Sequence, residues 1–318
     1  MVEFQTVTLR EKIPFEANAF KVLKLPRVGF VTRIELLLRL NVTTDPNNGG
    51  TPKEDALARI LKSVRIEVPG GDIFFGVPDG RLLKLRNIIQ FGKVHESDLP
   101  TAAGVTEDVY GKYIIHFGKN YTDPFDPTVV VPAEDIPDWQ LYVLWGDASD
   151  LGSGYTINSG EITVTIQRIK EDEPGEIFEF TPVMPVQTPV EISIDETVSE
   201  LGLQHDIPIG NVLDQILILV VDSNDNKSDG EVSEVGVLKP KERRIPYRID
   251  WKTLTTKVEH DYGLQSYIPG FGVIDGEDIA DTPIGLDLSM AEVGDYKLGF
   301  STLRTGGKIK LVYEQLRP

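Results

Sequence analysis

Residues 22–40 read VLKLPRVGFVTRIELLLRL, and residues 200–221 read ELGLQHDIPIGNVLDQILILVV. Each is a short apolar segment, then a turn carrying Pro and Gly (Pro26 and Gly29; Pro208 and Gly210), then a long β-rich run. The parallel continues. WQLYVLW (Trp139–Trp145) followed by GEITVTIQRI (Gly160–Ile169) pairs with IGLDL (Ile284–Leu288) followed by GKIKLVYEQL (Gly307–Leu316). A tyrosine stands before the final strand in each half, Tyr155 and Tyr296. Two consecutive units of similar β architecture are implied by this repetition.

The periodicity is that of strands. Ile34, Leu36, Leu38 and Leu40 alternate with Arg33, Glu35, Leu37 and Arg39, the signature of a half-buried strand. Val64, Ile66 and Val68 repeat it, as do Ile162, Val164 and Ile166, and then Ile309, Leu311 and Tyr313. Ile216–Val221 (ILILVV) is apolar at every position, which predicts a strand covered on both faces. One short helix is expected: Thr51 as cap, Pro52 at the first helical position and Glu54 closing a capping box before DALARILKSV.

A length of 318 residues suits two domains. The charged, proline-bearing stretch after Ile169 (KEDEPG) reads as a linker, which sets the units at 1–172 and 173–318. The repeats are more widely spaced in the first unit, and the Gly-, Pro- and Asp-rich stretch 98–131 is the expected site of its longer loops. The 21 Pro and 29 Gly are dispersed along the chain, as many short strands joined by many turns require. The fold class is therefore all-β, two tandem jelly-roll β-sandwiches with a few short helices.

The net charge is −18, from 50 acidic and 32 basic residues, so the average surface repels nucleic-acid phosphates and no direct nucleic-acid contact is expected. KPKERR (Lys239–Arg244) is the one basic run and reads as a solvated turn. With no cysteine, the chain has neither disulfides nor thiolate chemistry. No stretch approaches the roughly 20 apolar residues of a membrane span. The opening MVEFQTVTLREKIPF lacks the basic and apolar stretches of a secretory signal, so none is expected.

Site motifs are few. His95, His116, His205 and His260 form no H-x-H or H-E-x-x-H spacing. Neither a G-x-S-x-G elbow nor a phosphate loop occurs, and Gly152-Ser153-Gly154 is too short a match. Asp222, Asn224 and Asn226 occupy the first three ligand positions of an EF-hand-like calcium loop. Lys227 stands where that loop needs Gly, and Ser233 where it needs a bidentate Glu, so a polar surface turn is the favoured reading. Trp139, Trp145, Trp251 and several tyrosines could make a sugar-stacking platform, but Trp139 and Trp145, six residues apart on one strand face, read as core. The sequons at Asn41, Asn120 and Asn226 are at the level of chance. No cofactor, metal or catalytic residue is expected.

Three passages carry a family resemblance: LPRVGFVTRIELLLRLNVT (25–43), ALARILKSVRIEVPGGDIFFGVP (56–78) and VVVPAEDIPDWQLYVLWGD (129–147). They are, in turn, an apolar lead into a long first strand, a short helix then a strand ending at a Gly turn, and an apolar strand closing on Trp-Gly. The chain resembles the double jelly-roll major capsid proteins of tailless icosahedral, internally membraned viruses of bacteria and archaea. QSYIPGFGVIDGEDIADTPIGLDL (265–288) departs from the Trp-Gly wording in the second half. The resemblance implies a non-enzymatic structural protein of the virion, made in the host cytoplasm. It implies a homotrimer whose six similar bodies tile as a pseudo-hexagon, with neighbouring capsomers, vertex or minor capsid proteins and an underlying lipid membrane as partners. The alternative from another class is a two-domain β-sandwich carbohydrate-binding protein or adhesin; a jelly-roll hydrolase is a third reading.

Overall fold

The computed structural model describes residues 3–117, 130–170, 184–280 and 285–317. The chain divides into two compact units, Met1–Pro185 and Val186–Pro318. The expected boundary at 172/173 and the KEDEPG linker beyond Lys170 lie outside the described residues.

Among the described residues, eight strands longer than two residues build the first unit: β1 (Glu3–Thr8), β2 (Phe20–Lys24), β3 (Phe30–Thr44), β4 (Leu61–Glu67), β5 (Ile73–Val77), β6 (Thr106–His116), β7 (Gln140–Trp145) and β8 (Tyr155–Lys170). They form two sheets, ordered β1-β8-β3-β6 and β2-β7-β4-β5. Eight more build the second: β9 (Met184–Ser193), β10 (Leu203–Asp206), β11 (Val212–Val221), β12 (Val232–Lys239), β13 (Arg244–Asp250), β14 (Phe271–Asp275), β15 (Lys297–Thr302) and β16 (Lys308–Arg317). Their sheets are ordered β9-β16-β11-β14 and β10-β15-β12-β13. Each order in the second unit is that of the first with eight added to every label. The two units therefore share one topology, and the fold is a double jelly roll.

This equivalence supports the opening repeat, since the quoted stretches cover β2–β3 and β10–β11. It corrects the later one. Leu286–Asp287 pairs with β11 at Leu213 and Val212, as Val131–Pro132 pairs with β3 in the first unit. The counterpart of WQLYVLW is instead β15, which is less apolar and interrupted by Gly299. Tyr296 thus precedes β15, whereas Tyr155 opens β8. Ile284 lies outside the described residues.

Inside each sandwich the period-2 pattern sets the packing. Ile34, Leu36, Leu38 and Leu40 of β3 are fully buried, while Leu37 and Arg39 face outward. Ile216, Ile218 and Val220 of β11 enter the core of the second unit with Ile309, Leu311 and Tyr313 of β16. Leu217, Leu219 and Val221, on the opposite face of β11, are buried as well, as a continuously apolar strand predicts. Burying a large aliphatic side chain contributes about 1.5–3 kcal/mol, so these strands dominate stability. Part of the extra length of the first unit lies in strands, β3 having 15 residues against 10 in β11, and β6 having 11 against 5 in β14. Within the stretch 98–131 where longer loops are expected, Thr106–His116 is strand β6, and residues 118–129 lie outside the described residues.

The expected helix is displaced. Thr51–Pro52 pairs with Gly152–Ser153 as a short strand, and the helix is the single turn α1 (Ala56–Arg59). From Leu61 the chain enters β4, because Val64 and Ile66 are needed opposite Val143 and Leu141 of β7. Cross-sheet burial outweighs the local capping signal there. Two longer helices, α2 (Gly80–Phe91) and α4 (Trp251–Asp261), come after β5 and β13 at equivalent positions; α3 (Ala148–Leu151) and α5 (Gly276–Ala280) are short. Sequence reading missed both longer helices although each carries an Asp cap. Asp79 accepts the Arg81 N–H, Asp250 accepts the Thr253 N–H, and Gly92 ends α2 at φ 74°.

Gly80, at the start of α2, stands close against neighbouring backbone. A Cβ there would stand 2.2 Å from the Ala58 carbonyl oxygen and 2.7 Å from that of Leu61. Helix propensity favours alanine by about 1 kcal/mol, but backbone oxygens cannot yield and overpacking costs more. Gly80→Ala is expected to lower stability by a net ~1–2 kcal/mol, read as a shifted urea midpoint; a neutral or stabilising result would refute the close approach.

Candidate assembly surfaces

The interiors leave little for ligand chemistry. Trp139, Trp145 and Trp251 are all fully buried. Trp139 Nε1 donates to the Pro26 carbonyl at 3.1 Å, and Trp145 meets Phe15 edge-on at 5.3 Å. None presents an open ring face to a sugar. The four histidines are dispersed. His116 is buried beside Phe91, His205 stacks on Tyr313, His260 neighbours Asp261 on the surface, and His95 lies in a two-residue strand. The calcium-loop candidates share one tight turn. Asp222 Oδ1 accepts the N–H groups of Asn224 and Asn226 at 2.8 and 2.9 Å, and the Asp222 N–H donates to the Asn226 carbonyl. The carboxylate thereby shapes the turn through its own backbone. Among the described residues, no three His, Asp or Glu side chains stand together as a metal site. KPKERR forms the connection between β12 and β13, with a 3₁₀ turn at Pro240–Glu242.

The outward faces carry the distinctive features, and they differ in chemistry. On the larger sheet of the first unit, cross-strand polar pairs run from strand to strand. Arg39 Nη2 lies 2.6 Å from Asp108, Asn41 donates to the same carboxylate at 2.8 Å, and Asn158 donates to Asn41 and Thr43. The hydrogen bonds from Asn41 and Arg39 hold Asp108 below the usual carboxylate range. Beside them a shallow depression of about 300 Å³ is lined by Gly160 and Glu161. Such pairs register neighbouring strands and keep the face polar.

The smaller sheet presents an apolar face. Phe20 and Val22 of the edge strand β2 are 46% and 47% exposed. Opposite them in register are Leu144 and Tyr142 of β7, and beyond Tyr142 is Arg65 of β4. The Phe20 and Tyr142 rings are 5.4 Å apart, and the Arg65 guanidinium lies 5.8 Å from the Phe20 ring centre. Lys21 pairs with Glu16 and Lys24 with Asp138 at its margin.

Among the described residues of the second unit, the two most exposed large apolar side chains sit on the loop between Leu288 and Tyr296. Met290 is 93% exposed and Val293 73%. The loop is nevertheless pinned. Ser289 N–H donates to Asp287, Glu292 N–H donates to Asp295, and Lys241 Nζ reaches both Glu292 and Asp295 at 2.7 Å. Those contacts, Lys241 foremost, depress the Asp295 carboxyl. Neither surface was singled out by sequence reading. Their only signal there is apolar residues beside charged ones, which half-buried strands also show.

No protein-family model and no curated protein matches the chain. Solved structures do. The major capsid protein of STIV, the Sulfolobus turreted icosahedral virus, superposes with a TM-score of 0.81 at 15% identity, covering 99% of this chain and 97% of that one. The PBCV-1 virus capsid gives 0.64 at 8% identity, covering 99% and 94%. The major capsid protein P2 of bacteriophage PM2 gives 0.59 at 14% identity, covering 99% and 98%. At such identities the likeness speaks to architecture, and it extends through both jelly rolls. The chain carries the double jelly-roll fold of viral major capsid proteins.

Proposed function

We propose that this protein is a viral major capsid protein that self-assembles as trimers tiling an icosahedral shell. The observation that carries the reading is the end-to-end likeness, 99% of this chain against 97% of the STIV major capsid protein, in a chain whose two units share one topology. Two like bodies per subunit make six around a threefold axis, so trimers of one gene product fill a near-hexagonal lattice. The role is structural and non-enzymatic, and the residence is the virion after synthesis in the host cytoplasm. Vertex or minor capsid proteins and an underlying lipid membrane are the further partners. The charge of −18 keeps free subunits soluble and makes their approach salt-dependent. The three tryptophans of the carbohydrate-binding alternative are buried, which leaves that reading only exposed tyrosines such as Tyr110.

Light scattering of the purified chain is expected to give three times 35.3 kDa, with hexagonal blocks, sheets or shells in electron micrographs. A monomer at every salt and protein concentration would sink the reading.

A further inference from the structure

We infer that Lys84 and Asp55 condense into an intramolecular amide, a covalent crosslink between the cap of α1 and helix α2, with Glu96 carrying the protons. Lys84 Nζ lies 2.8 Å from Asp55 Oδ1 and also reaches Glu96 Oε2. Asp55 precedes α1 at φ 55°, and its side chain makes no capping bond to that helix. Glu96 lies in a two-residue strand paired with β6, opposite Gly111. The fully buried Tyr113 of β6 donates its hydroxyl to Glu96 Oε1 at 2.7 Å. Burial holds that phenol well above its usual pKa, so it stays a donor. The ammonium thus meets two carboxylates with little water around them. Lys84 and Glu96 are each 17% exposed and Asp55 9%. Lys241 and Lys257 also reach two carboxylates, but they are 58% and 32% exposed.

Burial works against the Lys84 charge, yet Glu96 and Asp55 together hold its pKa above the usual value. The free amine therefore arises only as Glu96 takes a proton from it. Nζ then attacks Asp55 Cγ, bonded to the oxygen it already touches. The C–N bond forms and one C–O bond breaks. Of the ammonium's three protons, one stays on the amide and two leave with the departing oxygen as water. Glu96 carries both and ends as the carboxylate it was, so no co-reactant is needed. The fixed geometry replaces the chance encounter that makes such condensations slow in water. Two mostly buried charges become one neutral amide, which removes their desolvation cost. The product closes the chain between 55 and 84 and restrains its unfolded state, as a disulfide would in a chain that had cysteine.

All the groups belong to the first unit, so the crosslink is independent of how copies assemble. The full chain is kept folded at neutral pH, warmed below its melting temperature, then unfolded and weighed by mass spectrometry. The expected mass is that of the sequence less one water, and digestion is expected to yield a branched peptide joining Asp55 to Lys84. Lys84→Arg keeps the positive charge and should retain the full sequence mass. Glu96→Gln, shown folded by circular dichroism, should retain it too or lose water far more slowly. A succinimide at an Asp-Gly pair such as Asp229-Gly230 also loses water, but it would persist in Lys84→Arg and yield no branch. A wild-type chain at its full sequence mass overturns the inference whatever the variants do. So does water loss that survives Lys84→Arg, or a branch from Lys84 to Glu96 in place of Asp55.

Discussion

Asp79→Ala is expected to destabilise the protein by about 3–5 kcal/mol, the usual cost of breaking a buried ion pair from one side. Asp79 and Arg81 are both buried, and Arg81 Nε and Nη2 donate to the two Asp79 oxygens at 3.0 and 2.7 Å. The same carboxylate accepts the Arg81 N–H at 2.8 Å as the cap of α2, a role worth about 1 kcal/mol by itself. Removing it takes away the cap and leaves the guanidinium without this counter-charge in a low-dielectric site. Asp79→Asn keeps an oxygen for the cap and so separates the two effects. It should recover about 1 kcal/mol of the loss and no more. The double variant Asp79→Ala, Arg81→Met should be more stable than Asp79→Ala alone, because the guanidinium that lost this carboxylate is then gone as well. Urea midpoints at one fixed protein concentration decide this, since association would make stability concentration-dependent. A loss under ~1 kcal/mol for Asp79→Ala would mean that the pair is dispensable.

Trp251→Ala should cost a similar ~3–5 kcal/mol for a different reason, the cavity left by a fully buried ring. Trp251 is the first residue of α4 and packs in the second unit's core with Leu254 and Ile274. Its ring lies over Gly272 of β14, where a Cβ would come within 3.1 Å of ring atoms. Nε1 donates to Asp229 at 3.2 Å, and Asp229 also accepts the Gly270 N–H at 2.8 Å and the Tyr267 hydroxyl. One carboxylate therefore ties the start of α4 to the entry of β14. Trp251→Phe keeps most of the apolar contact and loses the donor. Asp229 is partly solvent-exposed, so water can take over, and the expected loss is ~1–2 kcal/mol. Comparable losses for the Phe and Ala variants would assign the stability to the hydrogen bond and not to the ring.

The strand content and the twofold repetition are legible in the chain itself. Phe30–Leu40 alternates by itself, and ILILVV at Ile216–Val221 is apolar throughout, because burial on one face or two is written directly as a period along the chain. Helix α2 was missed because Asp79-Gly80 looks like a turn between strands, and a cap differs from a turn only in the backbone conformation of the residues after it. The second Trp-Gly-like passage was misaligned because β15 contains Gly299 and too few apolar residues to announce itself. Its place between β10 and β12 depends on partners 60 to 100 residues away. The Asp79–Arg81 pair and the Asp229 tie were hidden for a related reason: in a chain with 50 acidic residues, no single carboxylate declares itself buried.

The surfaces were the least legible part. Val22 and Leu23 are apolar neighbours in sequence, yet Leu23 is buried and Val22 is half exposed. Met290 and Val293 differ from core residues only in that nothing packs over them. By itself the sequence determined the strand periods, the two units and the absence of cysteine chemistry, since these depend on residues close along the chain or on composition. Only the tertiary structure decided which helices form, which charges are buried and which apolar side chains stay in water. Those outcomes depend on what distant strands bring together, and burial belongs to the neighbourhood and not to the residue.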